Sequence, residues 1–574
     1  MNNPFEFEQA RKLTNQQILD LYIPGYNYSE TILSTRNVFF VGERGTGKSM
    51  ALLYHSFALE RLKAAKEQRL PKYDVIGIHV DCNSMLIHKP EHDLLEAYMA
   101  QSISEHFLVI QIMNSIVSAL LEDENIVVDA ADYPLREDLE HSLDITLPNR
   151  PFLSAVKLEL QRQNTLANKA MNAAGDSTFY DDAGTFMTWA VPLLNCLRQI
   201  PRLSATHFSI MMDDAQLLNY HQNQLLNSWI SYRDNSLFSF KVATTRIDRP
   251  SLNTSTGSTI LENHDFLTVD MEPPYHNKFT EYGDMAREII MRRLNVINSE
   301  KTPAEFFPVN AQFEQDMEAF KLQTEKEAKQ KYGDNNKKIS DYVYKYARAR
   351  YFKELSSKAN IPPYSGFDTL VHISTGVIRN LLQPCFRMYD KARADLRDTP
   401  GAPVLEIPSS IQTQVIKDMS LEKWNYIKTD ITKNVQGCSG EKAEQIFNLF
   451  ENLSILFQKR LRSDISEPRA ITFTISEVGS PEYQKVFELL NIARKAQILY
   501  TYFSSAKDDG GKETYFVPNR ILWPSKKLDP CGQHARVSIR ASNLWEAAKN
   551  NTPIPVNGSE AQGQNQQEIF GEST

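Results

Sequence analysis

The chain of 574 residues has little cysteine and no long apolar run. Its five cysteines are far apart and form no CxxC pair, which argues against a zinc ribbon and against a disulfide framework. The most apolar helical stretch, residues 107–121, contains Gln111, Asn114 and Ser115 and is shorter than the roughly 20 apolar residues that span a bilayer. We therefore expect a reducing compartment and no membrane span.

An excess of positive charge and a leader sequence are also missing. The net charge is −8, so the chain as a whole does not attract nucleic acid. Residues 404–550 differ from the rest, because they hold slightly more Lys and Arg than Asp and Glu. The first residues contain neither the apolar region nor the small-residue cleavage site of a secretory leader. These absences predict a cytoplasmic protein.

The first half of the chain alternates apolar runs with helical patterns. Five runs predict buried strands at residues 37–41, 75–80, 208–212, 240–244 and 266–271. Helical patterns lie between them at residues 48–66, 93–121, 184–199 and 222–234. This alternation is typical of an α/β fold with a parallel sheet that is covered on both faces.

The last ordered part of the chain has a different pattern. Helices at residues 441–462 and 481–498 flank a short strand at residues 470–475. Two β-like runs follow, at residues 498–503 and 514–518, and the Asp-Gly-Gly sequence between them favours a hairpin turn. Helices followed by a β-hairpin predict a winged-helix domain.

The length predicts three to four domains, and changes of pattern suggest where they begin and end. Residues 321–353 alternate Lys and Glu with little apolar content, which predicts a solvated arm. We expect an N-terminal segment (1–36), an α/β domain (37–275, with an insertion at about 122–182), a helical domain (276–403, with a charged insertion at about 297–360), a winged-helix domain (404–550) and a disordered tail (551–574).

A glycine-rich sequence follows the first predicted strand. Residues 42–49 read GERGTGKS and fit GxxxxGK[ST] between a strand and a helix, which is the context of a phosphate-binding loop. Glycines let backbone N–H groups turn toward the phosphates, Lys48 brings positive charge to the β- and γ-phosphates, and Ser49 offers a hydroxyl to Mg²⁺. We assign ATP binding to Gly42, Arg44, Gly45, Thr46, Gly47, Lys48, Ser49 and Met50.

Two acids follow the strand predicted at residues 208–212. A phosphate-binding loop needs an acidic partner for Mg²⁺ at the end of another strand, and Asp213 fits that role. Asp214 would orient or deprotonate the attacking water. Ser49 and Asp213 are therefore the predicted magnesium ligands, and Asp214 is the predicted catalytic base, with Lys48 as a second catalytic group.

Two further positions could contact the γ-phosphate. Thr244 ends the next predicted strand, with Thr245 as the alternative at the same strand end. Arg379 follows Gly376 by three residues and would lie on the first turn of a helix that covers the nucleotide. An arginine at a helix start is by itself a weak signal, because most such residues are simply solvated.

These elements, in this order, resemble the AAA+ ATPases of the initiator type, which include the origin-recognition ATPases and their bacterial relatives. The sequence VDCNS after the second strand is similar to that family's β2 signature, and STGVIRNLL is similar to its sensor-2 helix. The resemblance implies sensor 1 at Thr244, sensor 2 at Arg379 and an arginine finger that acts on a neighbouring subunit. Arg246 and Arg249 lie nearest to where that finger is expected.

The resemblance also implies ATP and Mg²⁺ as cofactors, self-assembly with ATP and binding of double-stranded DNA through the winged helix. Asp214 departs from the glutamate of most relatives, so hydrolysis is expected to be slow or stimulated by a partner. The insertions and the tail suggest a role in a mobile element or in phage defence. In the alternative hypothesis, ATP gates a regulatory scaffold whose winged helix contacts a protein from a neighbouring gene. A small-molecule kinase would leave the helical domain (276–403), which is a lid in this family, and the winged helix unexplained.

Overall fold

A computed structural model describes most of the chain, in thirteen stretches of residues. They are 3–6, 10–24, 28–83, 94–131, 134–173, 183–232, 236–247, 251–272, 279–356, 362–396, 402–463, 468–505 and 512–556. The chain divides into two compact units, which we call the α/β unit (Glu8–Glu272) and the C-terminal unit (Met1–Phe7 with Pro273–Thr574). The first residues of the chain therefore belong to the same unit as its last residues.

The α/β unit is built on a parallel sheet of five described strands in the order β2-β3-β4-β1-β5. The strands are β1 (Val38–Val41), β2 (Val75–Asp81), β3 (His207–Asp213), β4 (Phe238–Thr244) and β5 (Leu267–Asp270). Every residue of β1, β3 and β4 is buried, as expected for strands of a parallel sheet that is covered on both faces. The predicted α/β fold and all five strands are confirmed.

Helices surround this sheet in the order of the chain. They are α1 (Asn15–Leu21), α2 (Tyr28–Ile32), α3 (Lys48–Tyr54), α4 (Phe57–Lys66), α5 (Ala97–Leu121), α6 (Glu124–Asp129), α7 (Leu135–Leu143), α8 (Phe152–Asn172), a π-helix (Phe186–Ala190), α9 (Val191–Leu197) and α10 (Tyr220–Ile230). The single helix predicted at residues 48–66 is wrong, since the chain leaves the helix at Ser56. Ser56 is extended and its hydroxyl donates to Leu53 O, a local bond of the kind by which serine competes with a helix.

The predicted insertion at residues 122–182 is helical where it is described. Leu135, Leu139 and Leu143 of α7 lie on one face and are buried in the main hydrophobic core of the unit. The helix α5 is long and apolar enough to span a membrane by composition, but most of its apolar window is buried inside the α/β unit. Both the insertion and α5 therefore form part of the core around the sheet.

The C-terminal unit is mainly helical before residue 470. Its helices are α11 (Phe279–Asn295), α12 (Pro303–Phe306), α13 (Ala311–Tyr332), α14 (Asn336–Ser356), α15 (Phe367–Ile373), α16 (Ile378–Asp395), α17 (Ser409–Thr429), α18 (Ile431–Asn434), α19 (Gly440–Arg462), α20 (Pro481–Lys495) and α21 (Ala541–Asn550). Its strands are β6 (Ala470–Ser476), β7 (Leu499–Ser505), β8 (Lys512–Pro518) and β9 (Gln533–Arg540). They form a mixed sheet in the order β7-β8-β6-β9.

This second sheet contains the predicted hairpin of β7 and β8, but more than a hairpin surrounds it. The strand β9 pairs in parallel with β6, and neither β9 nor α21 is predicted by the sequence. A helix-turn-helix needs two helices joined by a short turn, whereas α20 is the one helix between β6 and β7. The winged helix therefore stays a prediction, and the hairpin turn at 506–511 lies outside the described residues.

The charged stretch predicted as a solvated arm is partly buried, which corrects that prediction for α14. Arg348 of α14 donates through Nε to Asp529 Oδ2 at 2.8 Å, and Arg469 also contacts this carboxylate, at 3.3 Å. Asp529 is 2% exposed, and the two arginines lower its pKa although burial alone would raise it. The local sequence does not reveal this buried ion pair, because the carboxylate partner of Arg348 lies 181 residues further along the chain.

Described residues near both ends of the C-terminal unit are packed. Phe5 is fully buried within this unit, although residues 1–36 were expected to form a separate segment. The start of the predicted tail is packed as well, since Ile554 is buried and Asn551 accepts from Asn452 Nδ2 at 2.7 Å. Residues 557–574 lie outside the described part of the chain.

Candidate functional site

The loop between β1 and α3 has the geometry of a phosphate-binding loop. Gly45 and Gly47 have φ angles of 93° and 97°, in the left-handed region that favours glycine. A Cβ atom on Gly42 would lie 2.9 Å from Thr46 Oγ1 and 3.2 Å from Met271 Cβ, so no side chain fits there. The GxxxxGK[ST] spacing therefore corresponds to a tightly wound loop in which these glycines are required.

Lys48, the first residue of α3, is buried and points back into this loop. Its Nζ donates to Gly42 O at 2.6 Å and to Glu43 O at 3.0 Å. Burial lowers the pKa of Lys48 from its ordinary value, and nearby acids, Asp214 first among them, oppose that shift. The amine is thus fixed inside the loop, where it can meet the phosphates that the loop would bind.

Arg44 and Met50, which are also assigned to ATP binding, are less buried than Lys48. Arg44 is exposed at the loop, and Met50 is half-buried and packs against a small hydrophobic cluster that includes residues of β1 and α3. The side chain of Thr46 bonds to Glu43 O at 2.9 Å and supports the loop from within.

Ser49 and Asp213, the predicted magnesium ligands, lie next to each other. Asp213 ends β3 and is fully buried, and its Oδ1 accepts from Ser49 Oγ at 3.0 Å. Burial alone would raise the pKa of Asp213, but His79, Arg11 and Ser49 outweigh it and lower the pKa. Asp213 therefore stays ionised, as a ligand of Mg²⁺ must. Asp214 follows in the left-handed conformation, with φ of 58°, and is partly exposed.

Two residues that contact the acids are absent from the sequence prediction. Arg11 contacts Asp213 Oδ2 at 3.1 Å and Asp214 Oδ2 at 2.6 Å, and it also pairs with Asp81 at the end of β2. His79 Nε2 lies 3.2 Å from Asp213 Oδ2. His79 could have been found, because it is on β2 two residues before Asp81 and β2 lies beside β3. Nothing in the sequence pattern marks Arg11.

The predicted sensor at the end of β4 is close to the loop. Thr244 is buried, and its carbonyl accepts from Gly42 N at 3.3 Å, since β4 pairs with β1. The hydroxyl of Thr244 has a long bond of 3.5 Å to Thr245 O, and Thr245 is buried as well. The structure thus positions Thr244 at the right strand end, and its role as a sensor stays a prediction.

The two candidates for an arginine finger fare differently. Arg246 donates to Asp270 Oδ2 at 2.6 Å and lies 3.9 Å from Glu272 Oε2, so its charge is balanced by acids of its own chain. This internal pairing does not favour Arg246 as a finger toward a neighbouring subunit. Arg249 lies outside the described residues. The finger therefore stays unassigned.

Arg379, the predicted sensor 2, is in the C-terminal unit near the start of α16. The turn before this helix holds Thr375 and Gly376 in left-handed conformations, with φ of 54° and 80°. In the described residues Arg379 is half-buried and forms no hydrogen bond or ion pair. Its contact with a nucleotide stays a prediction, because Arg379 and the loop belong to different units.

Glu272 is a further buried acid at the loop. Its Oε1 accepts from the backbone N–H of Glu43, and its side chain is 3% exposed. Burial raises the pKa of Glu272 to about 7, although Arg246 lowers it. This carboxylate holds the first turn of the loop, and the sequence offers no signal for it beyond its position after β5.

We expect Glu272→Gln to remove a pH dependence of stability. The pKa of Glu272 rises from 4.5 in the unfolded chain to about 7 in the fold, so the folded state holds its proton longer. The free energy of unfolding of the native protein therefore falls as pH rises from 4.5 to 7, by up to roughly 3 kcal/mol. Glutamine keeps the acceptor for Glu43 N–H without a charge. Urea unfolding at pH 5 and pH 8 measures the free energy of unfolding of both proteins. Relative to the native protein, the variant should be more stable at pH 8 than at pH 5. An equal pH dependence in both proteins would contradict this assignment.

The donor set fits ATP with Mg²⁺. Lys48 supplies a fixed positive charge, and the hydroxyl and carboxylate of Ser49 and Asp213 are oxygen ligands of the kind that Mg²⁺ prefers. In the described residues no cluster of His, Cys, Asp or Glu suggests another metal site. The chemistry of the loop therefore agrees with the predicted cofactors.

Comparisons with known proteins place this site in a family. A family model described as ORC-CDC6-like matches residues 3–330 and 316–539. No curated protein matches the chain. Among solved structures, the crystal structure of Cdc6p from Pyrobaculum aerophilum matches over 96% of this chain and 98% of that chain, with 11% identity and a TM-score of 0.28. The family match, which spans nearly the whole chain, carries the assignment: the chain belongs to the ORC-CDC6-like family and is an AAA+ ATPase of the ORC/Cdc6 type.

Proposed function

We propose that this protein is an ATP-driven switch that self-assembles and binds duplex DNA through its C-terminal unit. The observation that carries the proposal is the bond between Ser49 Oγ and Asp213 Oδ1 beside the loop that holds Lys48. These three groups are what a magnesium nucleotide requires, and they come from two places in the sequence that are 164 residues apart. Relatives of the ORC/Cdc6 type bind DNA and oligomerise, which supports the second half of the proposal.

Each residue of the site has a distinct role in the proposed hydrolysis. Bound Mg²⁺ would neutralise charge on the phosphates and orient them. Ser49 and Asp213 hold the ion, and Lys48 holds the β- and γ-phosphates. Asp214 orients the attacking water and accepts its proton. Thr244 contacts the γ-phosphate or the water from the end of β4, and Arg379 adds positive charge when the nucleotide is bound.

The proposed hydrolysis is slow. Asp214 is one methylene shorter than glutamate, and its Oδ2 already accepts from Arg11 at 2.6 Å. A base in such an ion pair must lose its partner before it can take a proton from water. We therefore propose that a neighbouring subunit or a partner protein stimulates turnover. We further propose that the protein acts in the cytoplasm, with a role in a mobile element or in phage defence.

A second candidate function has a specific observation in its favour. Several cations of the mildly basic residues 404–550 have partners inside the chain: Lys526 Nζ lies 2.5 Å from Glu451 Oε2, and Arg540 Nε lies 4.0 Å from Glu477 Oε1. Arg536 lies over the ring of Tyr515, with 4.1 Å to its centroid. Such pairing leaves less positive charge for phosphates. It favours the alternative in which the C-terminal unit contacts a protein from a neighbouring gene.

One sedimentation experiment tests the proposal on the full chain. We expect the protein with Mg²⁺ and a slowly hydrolysed ATP analogue to sediment as a larger species than the protein alone, and to carry a fluorescent DNA duplex with it. If DNA contacts include the exposed Lys485 and Lys495 of α20, changing both to Gln should reduce the slope of log affinity against log salt by about 1.8. The matched control is the pair Lys326→Gln and Lys329→Gln on α13, which should leave the slope unchanged.

Two outcomes would contradict parts of the proposal. Equal masses with and without the analogue would contradict self-assembly. A larger species that leaves the duplex behind at low salt would contradict DNA binding and support the protein-partner alternative.

A further inference from the structure

Arg11 is the most heavily engaged charged side chain at the nucleotide site. It lies in a short 3-10 turn, Ala10–Lys12, which packs against α3, the helix that begins with Lys48. The guanidinium reaches the acids at the ends of two neighbouring strands, which are Asp81 on β2 and the pair Asp213 and Asp214 at the end of β3. A single cation thus contacts three carboxylates, and it comes from a segment before the first strand.

The carboxylate oxygens of the acid pair all have protein partners in this structure. Asp213 Oδ1 is bonded to Ser49 and Oδ2 to Arg11 and His79. Asp214 Oδ2 is bonded to Arg11, and its Oδ1 accepts from Gln216 Nε2 at 3.0 Å. Mg²⁺ is held by carboxylate oxygens, directly or through its water shell, and repels a guanidinium that is bonded to the same carboxylates. The ion and Arg11 therefore compete for the acid pair.

We propose that Arg11 is the resident counter-cation of this acid pair, and that Mg²⁺ with its nucleotide must displace it before the site can work. This inference rests on the proposed function, since it concerns the same acids. Asp214 is released for catalysis only when Arg11 leaves. The segment before the first strand is then a control element of the site.

Residues 3–6, which precede Arg11 in the chain, pack within the C-terminal unit. Phe5 is fully buried in the C-terminal unit, with its ring centroid 5.7 Å from Phe307 and 6.0 Å from Tyr389. Asn3 Nδ2 donates to Phe386 O at 2.8 Å and to Asp390 Oδ1 at 2.9 Å.

A buried arginine also binds this segment. Arg293 of α11 donates to Pro4 O at 3.2 Å and to Glu6 O at 2.6 Å. Tyr389, Phe386 and Asp390 all belong to α16, the helix near whose start Arg379 lies. Residues 3–6 are therefore held by α11 and α16 of the C-terminal unit.

The test compares Arg11→Gln with a control variant, Lys12→Gln. Lys12 is the exposed neighbour of Arg11, and its replacement removes the same charge. Binding of a fluorescent ATP analogue is titrated at increasing Mg²⁺. We expect Arg11→Gln to lower the half-saturating Mg²⁺ concentration at least about tenfold, because a charge-assisted hydrogen bond that competes is gone. Without Mg²⁺, the same variant should bind the analogue more weakly than the native protein, since the acids then repel the phosphates. Lys12→Gln should match the native protein in both conditions.

The opposite signs separate the proposal from simple damage to the fold, which would weaken binding in both conditions. Arg11→Lys keeps the charge but lacks the planar fork, so its half-saturating Mg²⁺ concentration should fall between those of the native protein and Arg11→Gln. An unchanged Mg²⁺ requirement in Arg11→Gln would overturn the proposal. A native protein that binds no nucleotide at any Mg²⁺ concentration would instead overturn the proposed function.

Discussion

Replacing Lys48 by alanine should weaken the binding of magnesium ATP by a factor of about 30 to several thousand. The amine is buried and held inside the loop by Gly42 O and Glu43 O, so no solvent cation can substitute for it. Removing one partner of a buried charge pair typically costs about 2–5 kcal/mol of binding free energy. Equilibrium titration with a fluorescent ATP analogue measures the change.

Lys66→Ala is the matched control for this variant. Lys66 ends α4 on the surface, 3.7 Å from Asp20, and is not part of the loop. It should bind the analogue like the native protein. Because the native amine is desolvated without a phosphate partner, Lys48→Ala should unfold no earlier than the native protein when nucleotide is absent. An unchanged affinity in Lys48→Ala would refute the assignment of the nucleotide site.

The second large effect is expected from Asp214→Asn. This variant keeps Asp213 beside Ser49, so magnesium ATP should still bind. Asparagine cannot accept the proton of the attacking water, and loss of a general base lowers turnover by a factor of about 100 to 10,000. Release of phosphate over time, measured at saturating ATP, gives the turnover number. Asp214→Glu should remain active, since its carboxylate has the longer reach that is usual among relatives.

Asp81→Asn separates catalysis from the contact with Arg11. Asp81 also pairs with this arginine but has no proposed role in hydrolysis. If Asp214 acts as the base, Asp81→Asn should keep turnover, and it should ease rather than hinder magnesium binding. A similar loss of turnover in both variants would show that the ion pairs with Arg11, and not the base, account for the effect.

Sequence alone predicts those features that depend on residues close together in the chain. Buried parallel strands appear as short apolar runs, so β3 and the acids that follow it are found without a structure. The loop is found from its spacing, because the turn around phosphates needs glycine and lysine at fixed positions. The hairpin of β7 and β8 is marked by the Asp-Gly-Gly sequence between them.

The parts that sequence does not predict depend on distant partners. Arg11 meets Asp213 across 202 residues, and no local pattern marks an arginine that will have three carboxylate partners. The same holds for Arg348, whose buried partner Asp529 makes part of the charged stretch a component of the core. The strand β9 is different, because residues 535–540 alternate apolar and polar side chains, a pattern typical of a strand that could have been found from the sequence.

The docked N-terminus has a consequence for how the protein is made. Asn3 is among the first residues that leave the ribosome, but its partner Phe386 is synthesised 383 residues later. At about 5–20 residues per second, that interval is roughly 20 to 80 s. The α/β unit, which ends at Glu272, is complete well before α16 exists. During synthesis Phe5 is therefore a temporarily exposed aromatic side chain, and its burial is a late step that joins the oldest residues of the nascent chain to some of the youngest.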